Sequence, residues 1–271
     1  MERTEAGHIM ENIRLVGMGA VLIKRLGLLV LLYATTSLAS AAEVSLVTGD
    51  YVPLTGPSLK NQGPVTELVT SVLATAGYQV GPVAMLPWAR GQLLTKQARY
   101  HATFPYAKNA EREQDFLYSD VILHSDIYFF VRSDDVSNDL GPAWKNKVLC
   151  RPVGYVMDNI QPLLDQYQLR LERPYGISAC FKLLMNHRVD LVPIQDIVGW
   201  NEVRQVPVPH PDITVLHTTL NTTEGDLFLI APKKRAASAQ LISRFNKTLK
   251  VFRNNGKYAA ILKDLYMHSM P

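Results

Sequence analysis

One pattern restricts the fold of this chain more than any other. Short apolar runs alternate with helical periods over residues 44–106, and the alternation restarts over residues 147–194. Residues 44–47 read as a strand. Val65, Leu68, Val69, Val72 and Leu73 then recur at helical spacing, with Pro64 in the first turn and Gly77 at the end. Residues 78–86 read as a strand broken by Gly81 and Pro82, residues 91–97 as a short helix, and residues 102–106 as a third strand. Strands joined through helices predict a mostly parallel sheet. Residues 121–132 break the pattern with a long extended run that leads into the polar Ser133, Asp134 and Asp135. After it, strands are expected over 147–150, 169–173 and 189–194, and helices over 157–167 and 178–186. Residues 227–231 are again extended and apolar, and residues 237–252 and 258–266 carry two helical patterns. That last block is too small for a domain of its own and is expected to pack back on the first body. The prediction is an α/β chain of two lobes, with mixed sheets, helices on both faces, two crossings and a cleft between. Lobe 1 is expected over 43–132 and again over 227–271, and lobe 2 over 133–226.

The N-terminus adds a compartment. Lys24 and Arg25 precede an uncharged apolar run, and Ser40, Ala41 and Ala42 follow it. This is the order of a secretory signal peptide, expected over 1–42, and cleavage after Ala41 or after Ala42 fits equally well. The competing reading, a retained anchor, needs ~20 apolar residues, and Lys24 and Arg25 interrupt the longer run. In an oxidising compartment Cys150 and Cys180, the only cysteines, are able to bridge; two buried free thiols are the alternative. The seven histidines are scattered, with none at ligand spacing from a cysteine, so no metal and no cofactor is expected. A formal charge of +4 with no basic run argues against a nucleic-acid partner. A monomer is expected.

The candidate site lies in residues 85–112. Trp88 and Arg90 follow an apolar run, Phe104, Pro105 and Tyr106 end the next, and Arg112 comes six residues later. Strand ends that present aromatics and guanidinium groups suit the holding of a small, partly charged molecule. No Ser, His and Asp arrangement, phosphate loop or zinc motif stands beside them, so binding is expected rather than catalysis.

Several short motifs then occur in a fixed order. They are Gly49-Asp50-Tyr51-Val52-Pro53, Pro87-Trp88-Ala89-Arg90, Phe104-Pro105-Tyr106 with Glu111-Arg112, and Phe116-Leu117-Tyr118-Ser119-Asp120. Lys147-Val148-Leu149-Cys150 with Gly154-Tyr155 and His187-Arg188-Val189-Asp190-Leu191 follow. Together they resemble the bacterial periplasmic solute-binding proteins of family 3, the polar amino-acid type, over about residues 44–265. The resemblance implies a periplasmic two-lobed protein that closes on a small ligand and serves an ABC permease or a membrane sensor. Arg112 matches the arginine that grips a ligand α-carboxylate through two parallel hydrogen bonds. Tyr51 matches the aromatic lining the first-lobe side, Trp88 is cleft wall or core, and Arg90 is placed to meet an anion or to cap a carboxylate in the first lobe. Tyr106 brings a hydroxyl to a strand end in the pocket, and Tyr155 falls in the loop that offers backbone donors.

The second lobe departs from the family. Gln195 stands where an acid that faces the ligand's ammonium group is expected, and Asp196 comes one residue later. Either Asp196 serves after a one-residue shift, or the ligand has no α-amino group. The same fold also carries cyclohexadienyl dehydratases, in which Asp196 would be the candidate general acid.

Overall fold

Two short strands, β1 (Ala42–Val44) and β2 (Leu46–Thr48), replace the single strand expected over 44–47. Ser45 separates them, its backbone N–H donating to His101 Nδ1 at 3.1 Å rather than to a neighbouring strand. The computed structural model describes residues 41–135, 142–158, 160–206, 212–216 and 225–267. The leader expected over 1–42 lies outside them except for Ala41 and Ala42. Among the described residues no helix is long and apolar enough to cross a membrane.

The helical period after Pro64 becomes α1 (Pro64–Thr75), with Pro64 in its first turn and Val65, Leu68, Val69, Val72 and Leu73 fully buried. Gly81 and Pro82 split the next run into β3 (Tyr78–Val80) and β4 (Ala84–Met85). Then come α2 (Trp88–Lys96), β5 (Ala102–Ala107), α3 (Ala110–Asp115), β6 (Phe116–Tyr118) and β7 (Leu123–His124). β2 runs parallel to β4 and β5, and β1 runs parallel to β3.

β8 (Ile127–Arg132) belongs to a different sheet. Its partners are β11 (Val192–Gln195) and β12 (Ile213–Leu216), both antiparallel. The chain therefore changes sheet between β7 and β8, at Ser125 and Asp126. Burial explains the continuous apolar run: Phe129 packs on Trp144 at 5.0 Å, whereas Phe130 packs on Phe181 at 5.4 Å and on Trp200 at 5.3 Å. A strand covered on both faces shows no alternation.

The second lobe also contains β9 (Val148–Cys150), α4 (Gln161–Tyr167), β10 (Arg170–Glu172), α5 (Ile177–Met185) and α6 (Asp196–Gln205). β9 and β10 are parallel. Asp190 is a structural tie here: it accepts from Val148 N at 2.7 Å and from Arg132 Nη2 at 3.1 Å. Cys150 and Cys180 are bridged, Cα atoms 5.6 Å apart, which joins β9 to α5 and replaces the free-thiol alternative. Closing a loop of 30 residues contributes about 3–4 kcal/mol in the chain-entropy model.

The chain returns to the first sheet as β13 (Asp226–Pro232), which lies between β5 and β6 and is antiparallel to both. α7 (Ser238–Asn254) and α8 (Lys257–Met267) then cover α1 with Phe245, Leu249, Phe252 and Leu262. Both crossings meet at one place. Ser125 N donates to Gly225 O at 3.1 Å, and His124 Nδ1 lies 2.7 Å from Asp226 Oδ1.

Candidate functional site

The site begins where β2 ends. Tyr51 closes a tight turn, its N–H donating to Thr55 O at 2.8 Å, and this turn points the ring towards the second lobe. Trp88 opens α2, and Tyr106 on β5 donates its hydroxyl to Trp88 O at 3.1 Å. Tyr155 comes from the second lobe. The four rings form an edge-to-face row, with Tyr155 to Tyr51 at 5.9 Å, Tyr51 to Trp88 at 5.8 Å and Trp88 to Tyr106 at 5.4 Å. A guanidinium lies over each end: Arg112 is 4.9 Å from the Tyr106 ring and Arg151 is 5.5 Å from the Tyr155 ring.

Arg112 is held from all sides. Asn109 caps α3 by accepting from Arg112 N at 2.9 Å, which fixes where the side chain starts. Its Nε donates to Gln92 Oε1 at 3.0 Å, Nη1 to Ala107 O at 3.0 Å and Nη2 to Gly154 O at 2.9 Å. The last bond crosses from one lobe to the other. Tyr51 makes a second crossing by donating its hydroxyl to Gln195 Oε1. Gly154 has φ +89°, and a Cβ there would stand 3.1 Å from Trp88 Cβ, so a side chain would strain this backbone and crowd the facing lobe. Burial pushes the Tyr106 hydroxyl up to about 12 against the opposing charge of Arg112, so it stays a neutral donor.

Tyr51, Trp88, Tyr106, Arg112, Tyr155 and Gln195 thus enclose a small cavity of about 50 Å³. Six of the eight expected ligand-binding residues meet there. The other two do not. Arg90 is exposed on α2 and lines neither cavity described in this subsection. Asp196 starts α6, where Oδ1 accepts from Ser125 Oγ and from Ile197 N at 2.7 Å. Gln195, not Asp196, faces the cleft, because a strand end and a helix start point consecutive side chains in different directions.

A second, larger chamber of about 640 Å³ adjoins the first and shares Tyr51 and Trp88 with it. Asp50 and Glu202 supply its charge, and Met85, Tyr175 and Ile177 are among its other walls. Glu202 accepts from Ser178 Oγ at 2.9 Å, and burial raises its carboxyl above the usual range. Burial also raises Asp50. Neither acid was singled out in the sequence. Asp50 stood in view beside Tyr51, but Glu202 sits on α6, a helix that the sequence pattern did not reveal. Among the described residues no group of three His, Cys, Asp or Glu side chains is placed to hold a metal ion.

No protein-family model matches the sequence, and no curated protein matches it significantly. Solved structures do match. An amino-acid ABC transporter substrate-binding protein from Streptococcus pneumoniae, bound to L-arginine, aligns with TM-score 0.69 and 16% identity over 85% of this chain and 97% of that one. The GluR0 ligand-binding core from Nostoc punctiforme, in complex with L-glutamate, aligns with TM-score 0.67 and 17% identity over 82% of this chain and 99% of that one. A histidine kinase sensor domain similar to periplasmic binding proteins aligns with TM-score 0.64 and 16% identity over 82% and 95%. With a six-stranded and a three-stranded sheet among the described residues, two crossings between them and a cavity walled from both lobes, this chain has the fold of the amino-acid ABC transporter substrate-binding proteins.

Proposed function

We propose that the chain is an exported solute-binding protein that captures a small carboxylate-bearing, amino-acid-like solute between its lobes and hands it to an ABC permease. The observation that carries this reading is a cavity walled by Tyr51, Trp88, Tyr106 and Arg112 on one side and Gly154, Tyr155 and Gln195 on the other. A ligand held by both walls favours the closed arrangement by its differential affinity for it. Arg112 suits a carboxylate. A guanidinium has five N–H donors and Arg112 uses three, which leaves one on each terminal nitrogen for a parallel pair. The Cys150–Cys180 bridge fits an oxidising compartment and so supports export. Asp196 is engaged by Ser125 and lines neither cavity, which speaks against its use as a general acid. The natural division is one lobe built on the β2 sheet and one built on the β8 sheet, with a monomer as the working unit.

A thermal-shift screen of amino acids, small carboxylates and polyamines tests the reading. A true ligand at a hundred times its Kd raises stability by ~2.7 kcal/mol. Arg112→Ala should abolish the shift given by any carboxylate; an unchanged affinity would remove Arg112 from the site.

The likeness to a histidine kinase sensor domain favours a second reading, in which the liganded protein signals to a membrane receptor. Uptake of the identified solute by a strain lacking the protein separates the two. Lost uptake supports transport, and normal uptake with a lost transcriptional response supports sensing.

A further inference from the structure

Glu202 is a buried carboxylate that no cation contacts among the described residues; Lys182 acts on it electrostatically without forming an ion pair. Glu202 is 7% exposed, and among the described residues its one hydrogen bond comes from Ser178 and no ion pair reaches it. Burying a charge that deeply is unfavourable unless an opposite charge joins it. The carboxylate is not sealed in. It lines the 640 Å³ chamber, which is large enough for a small organic solute. Asp50 lines the same chamber, and the two acids feel each other's charge. No lysine, arginine or histidine is among the lining residues. An anion entering here would meet two carboxylates and no lining cation to balance them.

The remaining walls suit the opposite charge. Trp88, Tyr51 and Tyr175 present aromatic surface, which attracts cations through the ring faces and covers an apolar stem. A third polar group is left over in the smaller cavity. The Tyr155 hydroxyl is buried and makes no hydrogen bond, and both Asp50 and Glu202 act on it electrostatically.

We propose that the larger chamber seats an organic cation, an ammonium or guanidinium group held between Glu202 and Asp50 with its stem against Trp88 and Tyr51. This rests on the solute-binding reading and names the charge of the solute it takes. The two compartments then have opposite characters, Arg112 at one end and the two acids at the other, with the Tyr51 and Trp88 rings between. A carboxylate end of the same solute remains compatible with Arg112. The cation is the part that the acids require.

Isothermal titration of the purified protein with agmatine, putrescine, L-arginine and succinate tests this. The cation-bearing compounds should bind, and Glu202→Gln should weaken them by at least about tenfold, the loss expected for a charge-assisted hydrogen bond. Asp50→Asn should weaken them less, because Asp50 is exposed. Unfolding of the unliganded Glu202→Gln variant at or above the wild-type temperature confirms that the fold is intact. If succinate binds and the cations do not, or if Glu202→Gln leaves a bound cation's affinity unchanged, the cation assignment is overturned while solute binding stands. If none of these compounds binds, and amino acids and carboxylates in the wider screen fail as well, both readings fall together.

Discussion

Arg112 and Glu202 are buried to the same degree, 7% exposed each, and the protein treats them in opposite ways. Arg112 has its side-chain charge spread over Gln92, Ala107 O and Gly154 O, and it lies over the Tyr106 ring. Among the described residues Glu202 has Ser178 as its one hydrogen-bond partner, and Lys182 acts on it only electrostatically. A buried charge with several internal partners is held in place by the scaffold, and here it also latches one lobe to the other. A buried charge with one neutral partner and an open chamber beside it is a site waiting for its counter-ion. Burial alone would have ranked the two as equals; the inventory of partners separates them.

The largest test of this contrast is deletion of the scaffold charge. Arg112→Ala strands the carbonyls of Ala107 and Gly154 and should cost about 2–3 kcal/mol in urea unfolding. A cost below about 0.5 kcal/mol, the range of ordinary surface changes, would break the comparison on its Arg112 side. Gly154→Ala should come next, at about 1–2 kcal/mol, because alanine disfavours φ +89° and its methyl would press on Trp88. Its more specific outcome is a more open cleft in solution, seen as a larger radius of gyration by small-angle scattering. Tyr51→Phe removes the bond to Gln195 and should cost about 1 kcal/mol. Glu202→Gln should be nearly silent in the unliganded protein, within about 0.5 kcal/mol or slightly stabilising, since it removes an unpaired charge.

Acidity sharpens the same contrast. Burial holds the Glu202 and Asp50 carboxyls above their ordinary values, so the folded state binds protons more readily than the unfolded chain. The sign follows: without ligand, their contribution makes the fold less stable as pH rises from the unfolded value through the folded one. Cation binding runs the other way. It needs the carboxylates, so affinity should be full above the raised values and fall as pH drops through them. Glu202→Gln should flatten that dependence, and titrations between pH 4 and about 7 would show it.

Much of this was legible in the sequence, for identifiable reasons. The period of α1 and the Gly81 and Pro82 break between β3 and β4 are local signals, and they place those elements correctly. Tyr51, Trp88, Tyr106, Arg112, Tyr155 and Gln195 stood in or beside recognisable motifs, and all six line one cavity. The failures were tertiary. The run that ends at Arg132 gave no hint that β8 sits between β11 and β12, because a strand buried on both faces carries no facing signal. α6 was hidden by Gly199, a poor helix former that is needed because a Cβ there would lie 2.1 Å from the Phe130 ring. Without α6, Glu202 had no place in any reading. Arg90 lines neither cavity, since a residue two places past Trp88 on a helix points away from the face that Trp88 occupies.

The central claim is that a small solute sits between the lobes, and Trp88 tests it most directly because its ring borders both compartments. Trp88→Ala should leave unfolding cooperative and weaken the first stabilising solute by about tenfold or more in isothermal titration, with wild-type binding at one solute per chain. Undiminished affinity in a folded Trp88→Ala protein would contradict the account, because no ligand held between these walls could escape its loss.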